Sequence, residues 1–339
     1  MTRVRSLIHL TAACAGVWLV ASQALAWGAT GHRLIGRAAA AALPSQAPLF
    51  LRDANAVAAA GELAREPDRW RAAGRTHDAD RDPAHFLDLD DAGTVLGGPP
   101  LAALPDTRAA YDAALRAVGS DSWKAGYLPY SIIDGWQQLA KDLGYWRADT
   151  AGAAKTTNAA HRVWLLADLA RRQALALRDA GVLAHYVGDG SQPLHVTIHF
   201  NGWRSATNPK GYTNAAIHSL FEGELVRRSV DEAAVSAAMA PSAEVGSDLG
   251  RWTANYLAAT GRQVIPLYDL ERAGGLVPGD PRGRDFVTAR LGAGAAALRD
   301  LIVAAWLASA AGRVGWPEVA VADVESGRVD PFDSLYGAD

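Results

Sequence analysis

The chain has 339 residues, with 33 Lys and Arg against 36 Asp and Glu, 50% of it hydrophobic and 20% charged. That is enough to bury a large core, and it excludes disorder, collagen and coiled coil. A formal net charge of -3 excludes a protein held to nucleic acid by a general basic excess, so such a role needs positive charge brought locally, as a bound metal cluster would bring it. Cys14 is the single cysteine, which rules out disulfide frameworks and Cys-based zinc sites and leaves nine histidines and the carboxylates as available ligands.

Residues 1–26 read as an export signal: Arg3 and Arg5 form a basic start, Leu7 to Val20 an apolar stretch, and Ala24-Leu25-Ala26 a small-x-small cleavage site. A retained anchor is the competing reading, but the run is short and Ser22 and Gln23 interrupt it. A lipoprotein site at Cys14 fits the preceding Leu10-Thr11-Ala12-Ala13 only loosely. The mature chain is then 27–339, periplasmic or secreted, and has no thiol to oxidise.

Apolar residues at three- and four-residue steps predict helices over Gly31 to Leu43, Ala47 to Leu63, Thr107 to Val118, Ile132 to Tyr145, Ala159 to Val187, Asn214 to Val226, Ala243 to Ala259 and Phe286 to Ala311. Gly97-Gly98-Pro99-Pro100 and Pro278-Gly279-Asp280-Pro281 read as loops between them. Neither repeats nor a Gly-Ser linker divides the chain, and alternating β-type segments are scarce. The expectation is one mainly α domain with a loop-rich tail from about Trp316.

The most informative stretch is His185-Tyr-Val-Gly-Asp189-Gly-Ser-Gln-Pro-Leu-His195. A helix continuing one turn past Val187 puts His185 and Asp189 on one face, and Pro193 then ends it and turns His195 back toward the same place. His218 and Glu222 form a second pair at the same spacing. A lone His and acid at this step is more often a salt bridge or a core histidine than a ligand pair. Further candidates accumulate here, however: Trp27 and His32 at the start of the mature chain, Asp68 within Glu66-Pro-Asp-Arg-Trp-Arg71, and His85 within Pro83-Ala-His-Phe-Leu-Asp. Five histidines and at least three carboxylates without sulfur point to a multinuclear site, with zinc as the metal that suits them best. Glu62, Glu66 and Asp53 compete with Asp68, while His77, His161 and His199 carry no assigned role, although His199 is near enough to His195 to line a cleft.

Together these strings resemble the S-one/P-one nuclease family, secreted trinuclear-zinc single-strand nucleases related to zinc-dependent phospholipase C. The resemblance runs from Trp27 to about Glu222, and HYVGDGSQPLH is its most specific part. It implies one zinc on Asp68, His85, His185 and a bridging Asp189, and a second on His195, His218 and Glu222. The third would sit on His32, Asp189 and the α-amine and carbonyl of Trp27. It also implies a helical fold with the three zinc ions at the bottom of a cleft. Phe86 and Asp88 match the positions that stack on and hydrogen-bond a nucleobase, and Arg71 matches the arginine near the reacting phosphate. The final ligand in the nucleases is usually Asp, whereas Glu222 is the phospholipase choice; the 23-residue step from His195 to His218 is nuclease-like.

The implied activity is hydrolysis of single-stranded DNA and RNA to 5′-phosphorylated products by metal-activated hydroxide, with Asp68, Arg71 and Asp189 in catalytic roles. Single-strand preference would come from Phe86, whose face an unpaired base can reach. Single-stranded nucleic acid or nucleotides are the expected partners, with the chain a monomer and no stable protein partner. The alternative is a phospholipase C, which would engage a membrane; a non-catalytic metal binder is third. Without the motif, Phe86 would read as core, and Asp88, Asp90 and Asp91 as a solvated turn.

Overall fold

The computed structural model describes residues 27–208 and 210–337; the expected export signal, 1–26, lies outside the described residues. The chain opens on α1 (Gly28–Ala41). The apolar run expected as one helix over 47–63 is split into a 3-10 turn (Leu49–Leu51) and α2 (Ala54–Leu63), because the Asp53 carboxylate accepts from Ala56 N–H and starts a fresh helix. Next come α3 (Glu66–Arg69), α4 (Arg75–Arg81) and a 3-10 turn (Asp82–His85), all too short to leave a periodic signal. The α5 helix (Arg108–Arg116) is capped by Thr107 as its sequence suggests, and α6 (Ser122–Ala125) by Asp121.

Two long helices form the centre. The first, α7 (Leu128–Lys155), is 28 residues long and outruns the predicted 132–145 segment at both ends: Pro129 sits in its first turn, where a proline is tolerated, and buried Asp149 interrupts the apolar pattern past Tyr145. The second, α8 (Ala159–Ser191), begins where predicted, capped by Asn158, and continues through Asp189 until Gln192-Pro193 ends it in a 3-10 turn (Pro193–His195). Only three residues join them, so they pack side by side.

The helix expected over 214–226 starts only at His218, passes into a π-type turn (Leu220–Leu225), and resumes as α9 (Val226–Ser229). Then follow α10 (Glu232–Ala237), α11 (Leu249–Gly261), α12 (Val264–Arg272) and α13 (Pro281–Ser309). Among the described residues α13 alone is long and apolar enough to cross a membrane, and 67% of its apolar window is buried inside the fold.

The tail is more ordered than expected. Two-residue strands β1 (Arg313–Val314) and β2 (Val319–Ala320) pair antiparallel, followed by α14 (Val321–Ser326) and α15 (Phe332–Tyr336). Val314, Val321 and Val324 bury themselves with Ala148 of α7 in a small second cluster, so the apolar residues of the tail hold it against the body.

With 65% of the described residues in helix and 3% in strand, the fold is one mainly α domain, as expected. Its main core gathers α1, α2, α7, α8 and α13. Two glycines set the approach of helices that carry the site. A Cβ on Gly36 would lie 2.6 Å from the Ala60 carbonyl oxygen, and one on Gly188 would lie 3.1 Å from His32 Nδ1. Thus α1 can seat its histidine directly against α8.

Candidate metal centre and its cleft

The last turn of α8 places His185 Nε2 3.3 Å from Asp189 Oδ2, the contact its four-residue spacing predicts. Around Asp189, which is fully buried, the fold brings His32 from α1 (Nε2 to Oδ1, 3.5 Å), His85 from the 3-10 turn before Phe86 (Nδ1 to Oδ2, 3.1 Å) and His195 (Nδ1 to Oδ1, 3.8 Å). His218 Nε2 lies 2.8 Å from Glu222 Oε2 and 3.1 Å from His195 Nε2. Three groups of ligand atoms result, each able to hold a metal ion: His32, His185 and Asp189; Asp68, His85 and His185; and His195, His218 and Glu222.

The proton inventory shows why these groups suit a cation. His185 Nδ1 lies 2.8 Å from the Ala64 carbonyl, His195 Nδ1 2.7 Å from that of His85, and His218 Nδ1 2.9 Å from that of Phe200. A carbonyl only accepts, so each Nδ1 carries the proton and, in the neutral ring, each Nε2 presents a lone pair inward. With both rings neutral, as a bound cation would require, His195 and His218 aim two lone pairs at each other beside the Glu222 carboxylate. The separations of 3.1, 2.8 and 3.7 Å average near the edge of roughly 3.3 Å of a tetrahedron with ligand arms of about 2.0 Å. His32 makes the same point differently: it is wholly buried, and neither ring nitrogen has a hydrogen-bond partner, nor does Asp189 Oδ1. A buried imidazole with both nitrogens unsatisfied is costly unless something binds it.

The charges follow from packing. Burial drives His32 well below the ordinary histidine value, with the neighbouring His185 adding to the effect, and burial lowers His85 to about 4. Burial would raise Asp189, but His185 and His195 outweigh it and hold the carboxyl well below the usual range. Burial would likewise lower His195, yet Asp189 and Glu222 carry it up to about 9.

Asp68 stands at the edge of the cluster, with Oδ1 3.2 Å from Arg71 Nε. Its sequence competitors are occupied elsewhere: Glu62 pairs with Arg33 and Arg65, Glu66 with Arg69, and Asp53 caps α2. Trp27 reaches the cluster through its side chain. The indole Nε1 donates to Gly188 O at 2.8 Å and Ser191 Oγ at 2.9 Å, and the Trp27 carbonyl accepts from Gly31 N–H. Its nitrogen is joined to Ala26 in the full-length chain, so the amine ligand of the resemblance belongs to a chain that begins at Trp27.

Over the cluster opens a cleft of about 470 Å³ whose walls include Arg71, His85, Phe86, Asp88, His195 and His218. Burial pushes the Asp88 carboxyl up to about 7. Asp90 instead accepts from Ala92, Thr94 and Gly97 N–H and holds a turn, and Asp91 pairs with His199 at 2.8 Å. His199 therefore serves a neighbouring cavity, stacked on Trp203, and does not line this cleft. His161 stacks on Phe332, and His77 meets Asp78.

Several cleft or cluster residues escaped the sequence reading, four of them with side chains suited to contact a ligand or the metal groups. Trp123, Lys124 and Phe200 line the cleft, and Gln192, its Oε1 fixed by Leu194 N–H at 2.6 Å, directs its amide nitrogen to His218 and Glu222. Gln192 was within reach, lying inside the quoted motif. The other three sit on segments whose surface position no periodicity announces.

No protein-family model matches this chain, and no curated protein matches it either.

Proposed function

We propose that this chain is an exported metal-dependent phosphodiesterase, an endonuclease that hydrolyses single-stranded DNA and RNA to 5′-phosphorylated products with three zinc ions. The observation that carries the reading is the convergence of three His and carboxylate groups, all buried but for half-buried Asp68 and two of them sharing His185, beneath a cleft walled by Phe86 and Arg71. In this reading Asp68, His85, His185 and Asp189 hold one ion, and His195, His218 and Glu222 another. His32 and Asp189 hold the third, together with the Trp27 amine once the chain starts there. Zinc bound there would supply Lewis acidity and make a nucleophile of water near neutral pH.

The chain's own residues do the rest. Arg71, oriented by Asp68, offers a planar guanidinium to the charge that gathers on the phosphoryl oxygens. Phe86 offers a ring face that an unpaired base can reach and a paired base cannot. Asp88, half-buried beside it and titrating near neutrality, can meet the edge of that base as donor or acceptor. Glu222 favours a second reading, a phospholipase C acting on lipid head groups.

The deciding experiment assays one preparation against single-stranded DNA, RNA, duplex DNA, a mononucleotide and phosphatidylcholine, with and without chelator. We expect chelator-sensitive cleavage of single strands, poor cleavage of duplex and slow release of lipid head groups. Phosphatidylcholine turned over faster than single strands, or activity surviving chelation, would overturn the proposal.

A further inference from the structure

Trp123 is 61% exposed at the mouth of the cleft, just before a stretch, Ala125 to Pro129, that is buried. Ala125 and Tyr111 beneath it are fully buried, and Tyr111 Oη donates to Gly126 O at 2.7 Å. The segment is fastened to the strand-like stretch bearing Phe86 and Asp88: Asp88 N–H donates to Ala125 O at 2.9 Å, and Leu128 N–H to Phe86 O at 3.1 Å. Gly126 has φ +74°, and a Cβ there would lie 2.0 Å from the Phe86 oxygen, so the two segments touch backbone to backbone. From the other side, the Asp112 carboxylate accepts from the N–H and hydroxyl of Ser122 at 2.9 and 2.8 Å. Trp123 is thus a large ring held on a rigid mount beside Phe86, with no other ring stacked on it among the described residues.

Its neighbour Lys124 also lines the cleft, with Nζ 3.5 Å from Asp121 Oδ2 in a surface pair that solvent screens and a phosphate can compete for. The flanking Ser120, Asp121, Ser122 and Lys124 are polar.

We propose that Trp123 and Lys124 form a second nucleotide subsite. The base adjoining the one on Phe86 stacks on Trp123, and the intervening backbone passes Lys124. This rests on the nuclease reading and sharpens it: the cleft takes a polynucleotide strand, with successive bases on two platforms fixed to one frame, in preference to a mononucleotide.

The test compares the KM of a single-stranded 12-mer with the inhibition constant of a 5′-mononucleotide, in the metal-loaded wild type and in Trp123→Ala, Trp123→Phe and Lys124→Ala. Losing one stacked base should raise the 12-mer KM about tenfold in Trp123→Ala, while the mononucleotide constant moves less than about threefold. Trp123→Phe should recover most of the loss, which separates stacking from a general disturbance. Lys124→Ala should reduce the log-log salt slope of the 12-mer KM by about 0.7, one phosphate contact. Equal shifts for 12-mer and mononucleotide, or a Trp123→Ala variant that cleaves the 12-mer normally but leaves phosphatidylcholine vesicles, would overturn the subsite and leave the nuclease reading standing. A wild type that cleaves no nucleic acid would remove both.

Discussion

Helix α8 buries carboxylates near both its ends, and the two ends balance them differently. In its first half, Arg172 lies between Asp142 of α7 and Asp168, with Nη1 and Nε each 3.1 Å from a carboxylate oxygen. Asp149, fully buried, adjoins Asp168 and keeps its proton: burial and that neighbour push it up to about 8. In its last turn Asp189 meets histidines, three of which around it and Glu222 have committed their Nδ1 protons to carbonyls. One end draws its compensating charge from the chain and from a retained proton. The other gathers imidazoles and carboxylates that could hold a metal ion, so the two ends differ in their donor sets and not in burial, which both share.

The contrast breaks most visibly at Asp189, shared by two of the three proposed ion sites. Asp189→Asn should cut turnover by about a thousandfold or more and lower bound metal, read by elemental analysis beside steady-state assays. Wild-type metal content and turnover would mean that the last turn of α8 is a structural cluster after all. At the other end, Arg172→Met removes the internal cation, leaving Asp142 with Gln138 and Asp168 with the exposed Arg171. It should cost about 3–5 kcal/mol in urea unfolding, with metal content per folded molecule within about twofold of wild type. A variant of ordinary stability that had lost its metal would show the two ends to be one network.

A gentler probe sharpens the same comparison through protons. Unfolded, Asp149 titrates near ~3.9, and folded near about 8. Between these values the folded chain holds a proton that the unfolded chain has released, so this residue's share of stability falls as pH rises from about 4 to about 8. Asparagine cannot ionise, so Asp149→Asn should flatten that decline and raise Tm at pH 8 by about 3 °C. An unchanged slope of Tm against pH would show that Asp149 does not hold its proton across that window.

The sequence was readable where function depends on local spacing. His185, Asp189, Pro193 and His195 lie within eleven residues, and helix geometry alone puts the first two on one face and ends the helix at Pro193. His32, Asp68, His85 and His218 are separated by tens of residues, so only the motif resemblance could suggest that they meet; neither pattern nor propensity contains that distance. Helices of four to seven residues, such as α3, α4 and α6, complete too few turns to show a period, yet they carry Asp68 and Trp123. The extra length of α7 past Tyr145 was hidden by buried Asp149, whose neighbour Asp168 lies on another helix. A surface Trp on a cleft rim reads in sequence like any core aromatic, since exposure is a property of the assembled surface.

The π-type turn Leu220–Leu225 bears on how this chain can vary over generations. A π turn carries one residue more than the α turn around which its neighbours are built. Losing a residue there would let the backbone close into ordinary helix without giving up a helical hydrogen bond, so a one-codon deletion that most helices would resist is structurally cheap at this place. It would, however, rotate the His218–Glu222 segment by about 100° relative to α9, one residue's worth of helical phase. Descendants with that deletion would keep the fold and most of the sequence while their His195, His218 and Glu222 no longer converged. Chain length across this turn is therefore a simple mark by which a family could be divided into members that keep the centre and members that have abandoned it.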